Sequence, residues 1–367
     1  MVDAASQPVE PETRPKPIWH RWLLWAVGIV VIGAIADLLG WNIRDWFKQL
    51  WDTITAISFG YVVGALLLIV VQTTATAFAW YSILHYAYPR STRWKDILAA
   101  YAVSVGLNCI LPANIGTLVM LIMFSVIIAG ATFASILGAY AVEKIFFTLS
   151  GAFVYLYLFL SVGGSFDIKF SFVHERPVAT IVFLAGGVFM IYLVLRRLWP
   201  RVVEWWDQAK EGGAILAEPR KYILRVFLPS LIGWVAAQAN NAVLFAAYDI
   251  PVSFSNLMRL AGGNSIANVT SITPGGAGVN QAFNVASLKG VADPTTITAY
   301  SVADQLLTTA FDIAFANGLM IWAWGWTGGK ALVQQSYDEA KKRQEEELEK
   351  RRQKKAARAA ERGEVVQ

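Results

Sequence analysis

Long apolar stretches alternate with short polar ones along most of the chain. Six apolar stretches are long enough, or nearly so, for the ~20 helical residues that cross a ~30 Å hydrocarbon core. These predicted membrane-spanning helices are Trp22–Leu39, Thr55–Trp80, Ala134–Leu160, Val178–Leu195, Tyr222–Ala247 and Thr296–Trp324. The pattern predicts an all-α polytopic membrane protein. The first stretch is interpreted as a retained anchor rather than a cleaved signal, because a long polar leader precedes it.

Two further apolar segments, residues 96–130 and 256–290, are interrupted near the middle by proline and glycine. Proline lacks a backbone N–H and disfavours helix in the residue before it, so breaks are predicted at Leu111 and Thr273. A half-helix such as Asp96–Leu111 would be about 24 Å long, short of the ~30 Å core. Each segment is therefore predicted to be a re-entrant hairpin. The alternative is that both segments cross fully as kinked spans.

The two interruptions resemble one another in their order of asparagine, proline and glycine. Non-helical backbone at membrane depth survives where it is buried in protein or lines a wet cavity. The hairpin tips, with second half-helices beginning at Ile115 and Val279, are therefore predicted to line a cavity. The predicted substrate-binding residues are Asn108, Pro112, Asn114, Gly116, Asn268, Thr273, Pro274, Gly275, Gly276, Gly278, Gln281 and Asn284.

Lysine and arginine are concentrated in alternate loops, which are expected to face the cytoplasm. Six crossings and two hairpins then place both termini on the cytoplasmic side. The chain is divided into a cytoplasmic leader at 1–21, a membrane domain at 22–327 and a charged cytoplasmic tail at 328–367. The two repeat units, 55–160 and 222–324, acquire opposite topology. Inverted repeats of this kind build many alternating-access transporters.

Composition agrees with a lipid environment, since 56% of residues are hydrophobic and only 16% are charged. The lone Cys109 excludes an intrachain disulfide, and three scattered histidines offer no metal-ligand cluster. No cofactor, no metal and no nucleic-acid partner is expected. No Walker motif is present to couple transport to ATP.

Ionisable residues inside the predicted spans are costly and mark pathways or proton relays. The candidates for coupling or buried charge are Glu143, Lys144, Asp304, Gln305 and Asp312. Neighbours on a helix face about 100° apart, so Glu143 and Lys144 are each expected to find partners elsewhere. Lys144 is predicted to pair with Asp304 or Asp312. A purely architectural ion pair is the alternative to a coupling role.

The tail from Gln334 to Arg362 carries acidic residues three to five positions before basic ones, which favours a helix. It lacks a sustained apolar seam, so a solvated helix with its basic end near anionic lipid is predicted. A coiled coil that binds a cytoplasmic partner is the alternative. Homo-oligomer formation is left open.

The second interruption, Ser271 to Ala282, resembles the Pro-Gly-Gly-x-Gly-x-x-Glu-Ala signature of the lysylphosphatidylglycerol synthase transmembrane, flippase-type family. The segment Leu111 to Gly116 and the span containing Glu143 are similar to that family's upstream element. The resemblance covers roughly residues 55–324. It departs from the family pattern where Gln281 replaces the usual Glu, and where Asn114, Thr117 and Gln305 stand at usually charged positions.

Membership of this family implies a multi-pass protein of the bacterial cytoplasmic membrane that moves phospholipid between leaflets. A stand-alone member without a synthase domain is expected. The predicted function is a lipid translocase and not an enzyme. The alternatives are an intramembrane enzyme acting on lipid or polyprenyl phosphate, and a noncatalytic membrane scaffold.

Overall fold

The computed structural model describes residues 52, 57–111, 114–161, 196, 210–270 and 273–361. The chain divides into two compact units, Met1–Thr55 and Ala56–Gln367, and all the described helices lie in the second. Within the described ranges the fold is all-helical apart from one isolated β-bridge between Lys289 and Ala292. The predicted spans Trp22–Leu39 and Val178–Leu195 lie outside the described residues.

Eight helices make up this part of the fold. They are α1 Phe59–Ala87, α2 Trp94–Ile110, α3 Ile115–Ile127, α4 Phe133–Ser161, α5 Pro219–Ala247, α6 Phe254–Thr270, α7 Val279–Ser287 and α8 Pro294–Glu361. Helices α1, α4 and α5, with the first 50 residues of α8, are long and apolar enough to cross a membrane. They coincide with four of the predicted spans, which confirms a helical membrane protein.

Local signals explain several helix ends. Thr132 and Ser135 cap α4 reciprocally, because the hydroxyl of each accepts a hydrogen bond from the backbone N–H of the other at 3.1 Å. Helix α8 begins at Pro294, and the Asp293 carboxylate accepts from the Thr295 N–H at 2.8 Å. Gly325 interrupts α8 with φ 72°, a backbone conformation that glycine adopts without steric cost.

Helices α1 and α5 pack against each other in antiparallel directions through small residues. A Cβ placed on Gly64 would lie 3.7 Å from Val243, and one placed on Gly233 would lie 2.9 Å from the Thr76 hydroxyl. The first contact joins the start of α1 to the end of α5, and the second joins a later part of α1 to the middle of α5. In lipid there is no hydrophobic driving force for helix association, and small residues let helix backbones approach closely enough to pack.

The short arms of each broken segment pack on a long helix from the other half of the chain. Helix α2 lies along α8, where a Cβ on Gly106 would be 3.2 Å from Ala316. Helix α6 lies along α4, where a Cβ on Gly262 would be 2.8 Å from Leu158. The contacts of α2 with α8 are thus mirrored by those of α6 with α4.

The tail is not solvated on all sides. Beyond Gly325, α8 continues as a helix, but Ser336 and Ala340 are 0% and 1% exposed, and Tyr337 packs against the hydrophobic core. The Arg343 guanidinium lies 4.3 Å from the ring centroid of Phe133. The prediction of a solvated tail is therefore wrong for this face. Buried positions three and four residues apart form a seam too short to stand out in the sequence.

Candidate functional site

Both interrupted segments fold as pairs of short helices with non-helical tips. Helix α3 begins at Ile115 and α7 at Val279, as predicted, while α2 ends at Ile110 and α6 at Thr270. Asn114, just before α3, has the left-handed φ of 55°, which asparagine tolerates better than most side chains. The corresponding tip before α7 relies on glycines with positive φ at 275, 276 and 278.

Close backbone approach brings the two helices of each pair together. A Cβ placed on Gly116 would lie 2.5 Å from the Ser104 carbonyl oxygen and 2.6 Å from Oδ1 of Asn108. In the second pair, a Cβ on Gly263 would contact the Ser287 side chain and lie 3.4 Å from the Phe283 carbonyl oxygen. Each pair is therefore an antiparallel hairpin. Gly116 acts as a packing residue, and Gly263 was not singled out from the sequence.

The tips of the two hairpins meet. A Cβ placed on Gly275 would lie 2.7 Å from the carbonyl oxygen of Cys109 at the end of α2. Between the tips and α8 lies a cavity of about 360 Å³, within the ~300–1,000 Å³ range of small-molecule sites. Its lining residues are Val105, Asn108, Cys109, Leu111, Asn114, Asn264, Thr273, Gly275, Gly276, Asn280, Asn284, Ser301, Asp304, Gln305, Thr308 and Thr309.

The predicted site residues at the tips and on α8 differ in their position relative to the cavity. Asn108, Asn114, Thr273, Gly275, Gly276, Asn284, Asp304 and Gln305 line the cavity. Gly116, Gly278, Gln281 and Asp312 lie in the adjoining helices and tips without lining it, and Pro112 lies outside the described residues. Asn268 belongs to α6, and Pro274 opens a short 3₁₀ turn that ends at Gly276. Substrate binding by these residues remains a prediction.

A chain of side-chain amides holds the second tip. The backbone N–H of Gly278 donates to Oε1 of Gln281 at 2.7 Å, and Nε2 of Gln281 donates to Oε1 of Gln305 at 2.5 Å. Nε2 of Gln305 then donates to the carbonyl oxygen of Gly275 at 2.9 Å. The two glutamines therefore connect Gly278 and Gly275 to α8 through three successive hydrogen bonds.

One face of α8 carries polar groups toward the cavity at helical spacing. The Thr308 hydroxyl donates to Asp304 Oδ1 at 3.3 Å, and Asp312, one turn further, lies 4.0 Å from the Cys109 thiol sulfur. Ser301, one turn before Asp304, accepts from Nδ2 of Asn284 at 2.9 Å. The predicted stripe of Asp304, Thr308 and Asp312 is confirmed. Ser301 and Thr309 were missed, although the same three- and four-residue spacing includes them.

Glu143 and Lys144 stand apart from the cavity lining. The Lys144 ammonium lies 3.1 Å from Oε2 of Glu143, and it also lies over the rings of Tyr140 and Phe147 at 5.0 and 4.8 Å. The prediction that Lys144 pairs with Asp304 or Asp312 is therefore wrong. The four-carbon lysine stem reaches around the helix to its sequence neighbour. Glu143 is 2% exposed and Lys144 44% exposed, so the lysine head meets the surface.

The described residues bring no three His, Cys, Asp or Glu side chains together as metal ligands. Among the described residues that line the cavity, there is also no lysine or arginine. The described lining offers amides, hydroxyls, backbone groups, the thiol of Cys109 and the carboxylate of Asp304. Such a lining can bind and orient a polar group.

Comparison with known proteins supports the resemblance seen in the sequence. A search of curated proteins finds no match for this chain. The model of the family described as the lysylphosphatidylglycerol synthase TM region matches residues 23–316, which include both hairpins and the cavity-lining part of α8. The chain therefore belongs to the lysylphosphatidylglycerol synthase TM region family.

Proposed function

We propose that this protein is a lipid translocase that passes a phospholipid headgroup between leaflets through the cavity at the hairpin tips. One observation carries the proposal: two broken hairpins from different halves of an apolar bundle meet at a single polar cavity. Irregular backbone at membrane depth is costly unless it lines such a cavity. In transporters, sites near the bilayer midplane are built from discontinuous helices of this kind.

The two halves are proposed to be inverted repeats with six full crossings and two re-entrant hairpins. The antiparallel packing of α1 on α5 supports this arrangement, because these are the first helices of the two units. The mirrored contacts of α2 with α8 and of α6 with α4 are those expected from an approximate two-fold axis. With 13 residues in α3 and 9 in α7, neither second arm is long enough to cross a ~30 Å core.

The headgroup phosphate is proposed to bind near the first turns of α3 and α7. Both helices begin at the cavity, next to Asn114 and Gly278, and their first backbone N–H groups have no partner within the helix. Helix N-termini favour phosphate through these donors and the positive end of the helix dipole. The acyl chains remain in the bilayer beside the exposed apolar side chains of the bundle.

We place the protein in the bacterial cytoplasmic membrane with both termini inside. The basic residues of the loop between α1 and α2, namely Arg90, Arg93 and Lys95, favour the cytoplasmic side. The docked tail would then lie at the inner surface. The proposed translocation needs no energy source, because facilitated scrambling moves lipid between leaflets passively.

Reconstitution into liposomes tests the proposal. Vesicles of phosphatidylglycerol and phosphatidylethanolamine that carry a fluorescent lipid in both leaflets are treated with a membrane-impermeant quencher. With translocase activity, fluorescence falls below the half that remains in protein-free vesicles. If no lipid crosses and lipid analysis instead finds a converted product, the intramembrane enzyme replaces the proposal. If neither occurs, a scaffold is the better interpretation.

A further inference from the structure

The cavity is rich in oxygen atoms that have no proton donor facing them. Asp304 lines the cavity, and the Thr308 hydroxyl at 3.3 Å is its hydrogen-bond donor. Two buried acids of the described fold have basic partners, since Asp96 accepts from Arg93 at 2.7 Å and Glu143 pairs with Lys144. Among the described lining residues no such base accompanies Asp304. A carboxylate at membrane depth without a counter-charge is costly.

Three asparagine side chains that line the cavity each use their amide nitrogen within the protein. Nδ2 of Asn284 donates to Ser301, Nδ2 of Asn108 to the Thr117 hydroxyl at 3.1 Å, and Nδ2 of Asn280 to a backbone carbonyl at 3.4 Å. Turning the Asn280 amide over would break its hydrogen bond, because a carbonyl cannot donate, whereas the Ser301 and Thr117 hydroxyls can donate as well as accept. The nitrogen of Asn280 is therefore fixed, and its oxygen is the atom left without a partner.

The amide oxygens of all three asparagines are buried with no hydrogen-bond partner. Asn280 is the most informative, because the Gly275 carbonyl fixes its orientation and it lines the same cavity as Asp304. Asn284, only 5% exposed, contacts Ser301, which precedes Asp304 by one helical turn. Buried acceptors without donors are rare in native structures and call for a ligand or ion that completes them.

We propose that Asp304, Asn280 and the neighbouring cavity oxygens form a binding site for a monovalent cation. Carboxylate, amide and hydroxyl oxygens are the ligands that hard cations take, and transporter cavities bind sodium in this way beside unwound helices. A single carboxylate matches a single positive charge. Two sources have this chemistry: free Na⁺, and the ammonium group of a lipid headgroup. The second source rests on the proposed lipid function, and the first does not.

Thermal unfolding of the full-length purified protein tests the site. In a neutral detergent without lipid, NaCl is titrated against N-methyl-D-glucamine chloride at constant ionic strength, and a second series uses ethanolamine hydrochloride. The wild type should show a saturable rise in melting temperature with at least one cation. Asp304→Asn should weaken the midpoint about tenfold or more, because it removes the charged ligand. Asp293→Asn is the matched control on the same helix, since asparagine also caps a helix.

The two series separate the sources. A sodium response identifies a free ion, and an ethanolamine response alone identifies the headgroup ammonium. Equal responses in the wild type and Asp304→Asn overturn the site, as does the absence of any saturable response, which would mean that a proton neutralises Asp304. Binding of radiolabelled sodium and ethanolamine to the wild type needs no variant, so it decides the matter if Asp304→Asn fails to fold. These readouts stand even if no lipid crosses the liposome membrane.

Discussion

Nε2 of Gln305 on α8 lies 2.9 Å from the carbonyl oxygen of Gly275 and donates a hydrogen bond to it. Gln305 also accepts a hydrogen bond from Gln281 on α7. Helix α8 is therefore tied to both ends of the glycine-rich tip. Since Gly275 also approaches the end of α2, a displacement of α8 would also shift the contact between the two hairpins.

The Gln305→Met variant tests this connection. Methionine retains the length of the side chain but removes two hydrogen bonds, each worth ~1 kcal/mol. We expect lipid movement to fall severalfold in the liposome assay, with a loss of about 2 kcal/mol in unfolding stability. Asn317→Leu is the control, because the Asn317 amide on the same helix donates within α8 to Ile313 and is exposed. If the two variants moved lipid at the same rate, the hydrogen bonds of Gln305 would have no role in transport.

The Gly278→Val variant tests the hairpin tip. No atom lies within 4 Å of a Cβ placed on Gly278, so the cost of the side chain comes from its φ of 82°. At φ 82° and ψ −44°, a sparsely populated backbone region, a side-chain-bearing residue costs ~1–3 kcal/mol. We expect a folded protein that has lost lipid movement, because the new side chain stands at the start of α7. Gly276 is a poorer probe, since its Cβ would lie 2.5 Å from the Asn280 amide.

Gly290→Val is the matched control for the tip variant. Gly290 has a φ of 78° and also has no atom within 4 Å of an added Cβ, but it follows α7, whereas Gly278 directly precedes α7 beside the proposed phosphate site. Both variants place valine at a positive φ, so both should lower the melting temperature. If both also move lipid at the wild-type rate, the tip is a structural break and not the substrate site.

A double variant tests the ion pair of Lys144 with Glu143. Lys144→Met leaves Glu143, 2% exposed, without its partner at 3.1 Å. The loss should stay below the ~3–5 kcal/mol of fully buried pairs, because Lys144 is 44% exposed. Adding Glu143→Gln should restore most of the melting temperature. If Asp304→Asn restored the melting temperature instead, Lys144 would pair with Asp304, as the sequence predicted.

Cysteine accessibility tests the inverted arrangement. In a Cys109→Ser background, Ser91→Cys before α2 should react with an impermeant maleimide only from the cytoplasmic side. Val252→Cys before α6 should react only from outside. Val252 is preferred to Ser253, because the Ser253 hydroxyl caps α6 by accepting from the Asn256 N–H at 3.2 Å. Labelling of both cysteines from one side would rule out opposite topology of the two units.

Local conformational rules account for the parts of the fold that the sequence predicted well. The breaks before Ile115 and Val279 follow from proline and glycine, whose backbone restrictions act within a few residues. The four long helices follow from apolar length, which depends on bilayer thickness and not on neighbours. The acidic stripe of Asp304 and Asp312 follows from helical spacing on one element.

Contacts between elements were decided only by the tertiary structure. The sequence offered no means to pair Gln305 with Gly275 or to dock Ser336 against the core. In a helix that is apolar on most sides, hydrophobic periodicity does not tell a lipid-facing side from a protein-facing one, because lipid and protein interior are equally apolar. By itself the sequence thus determined where this chain is helical and where it breaks, while the packing of its helices determined which polar groups share one cavity.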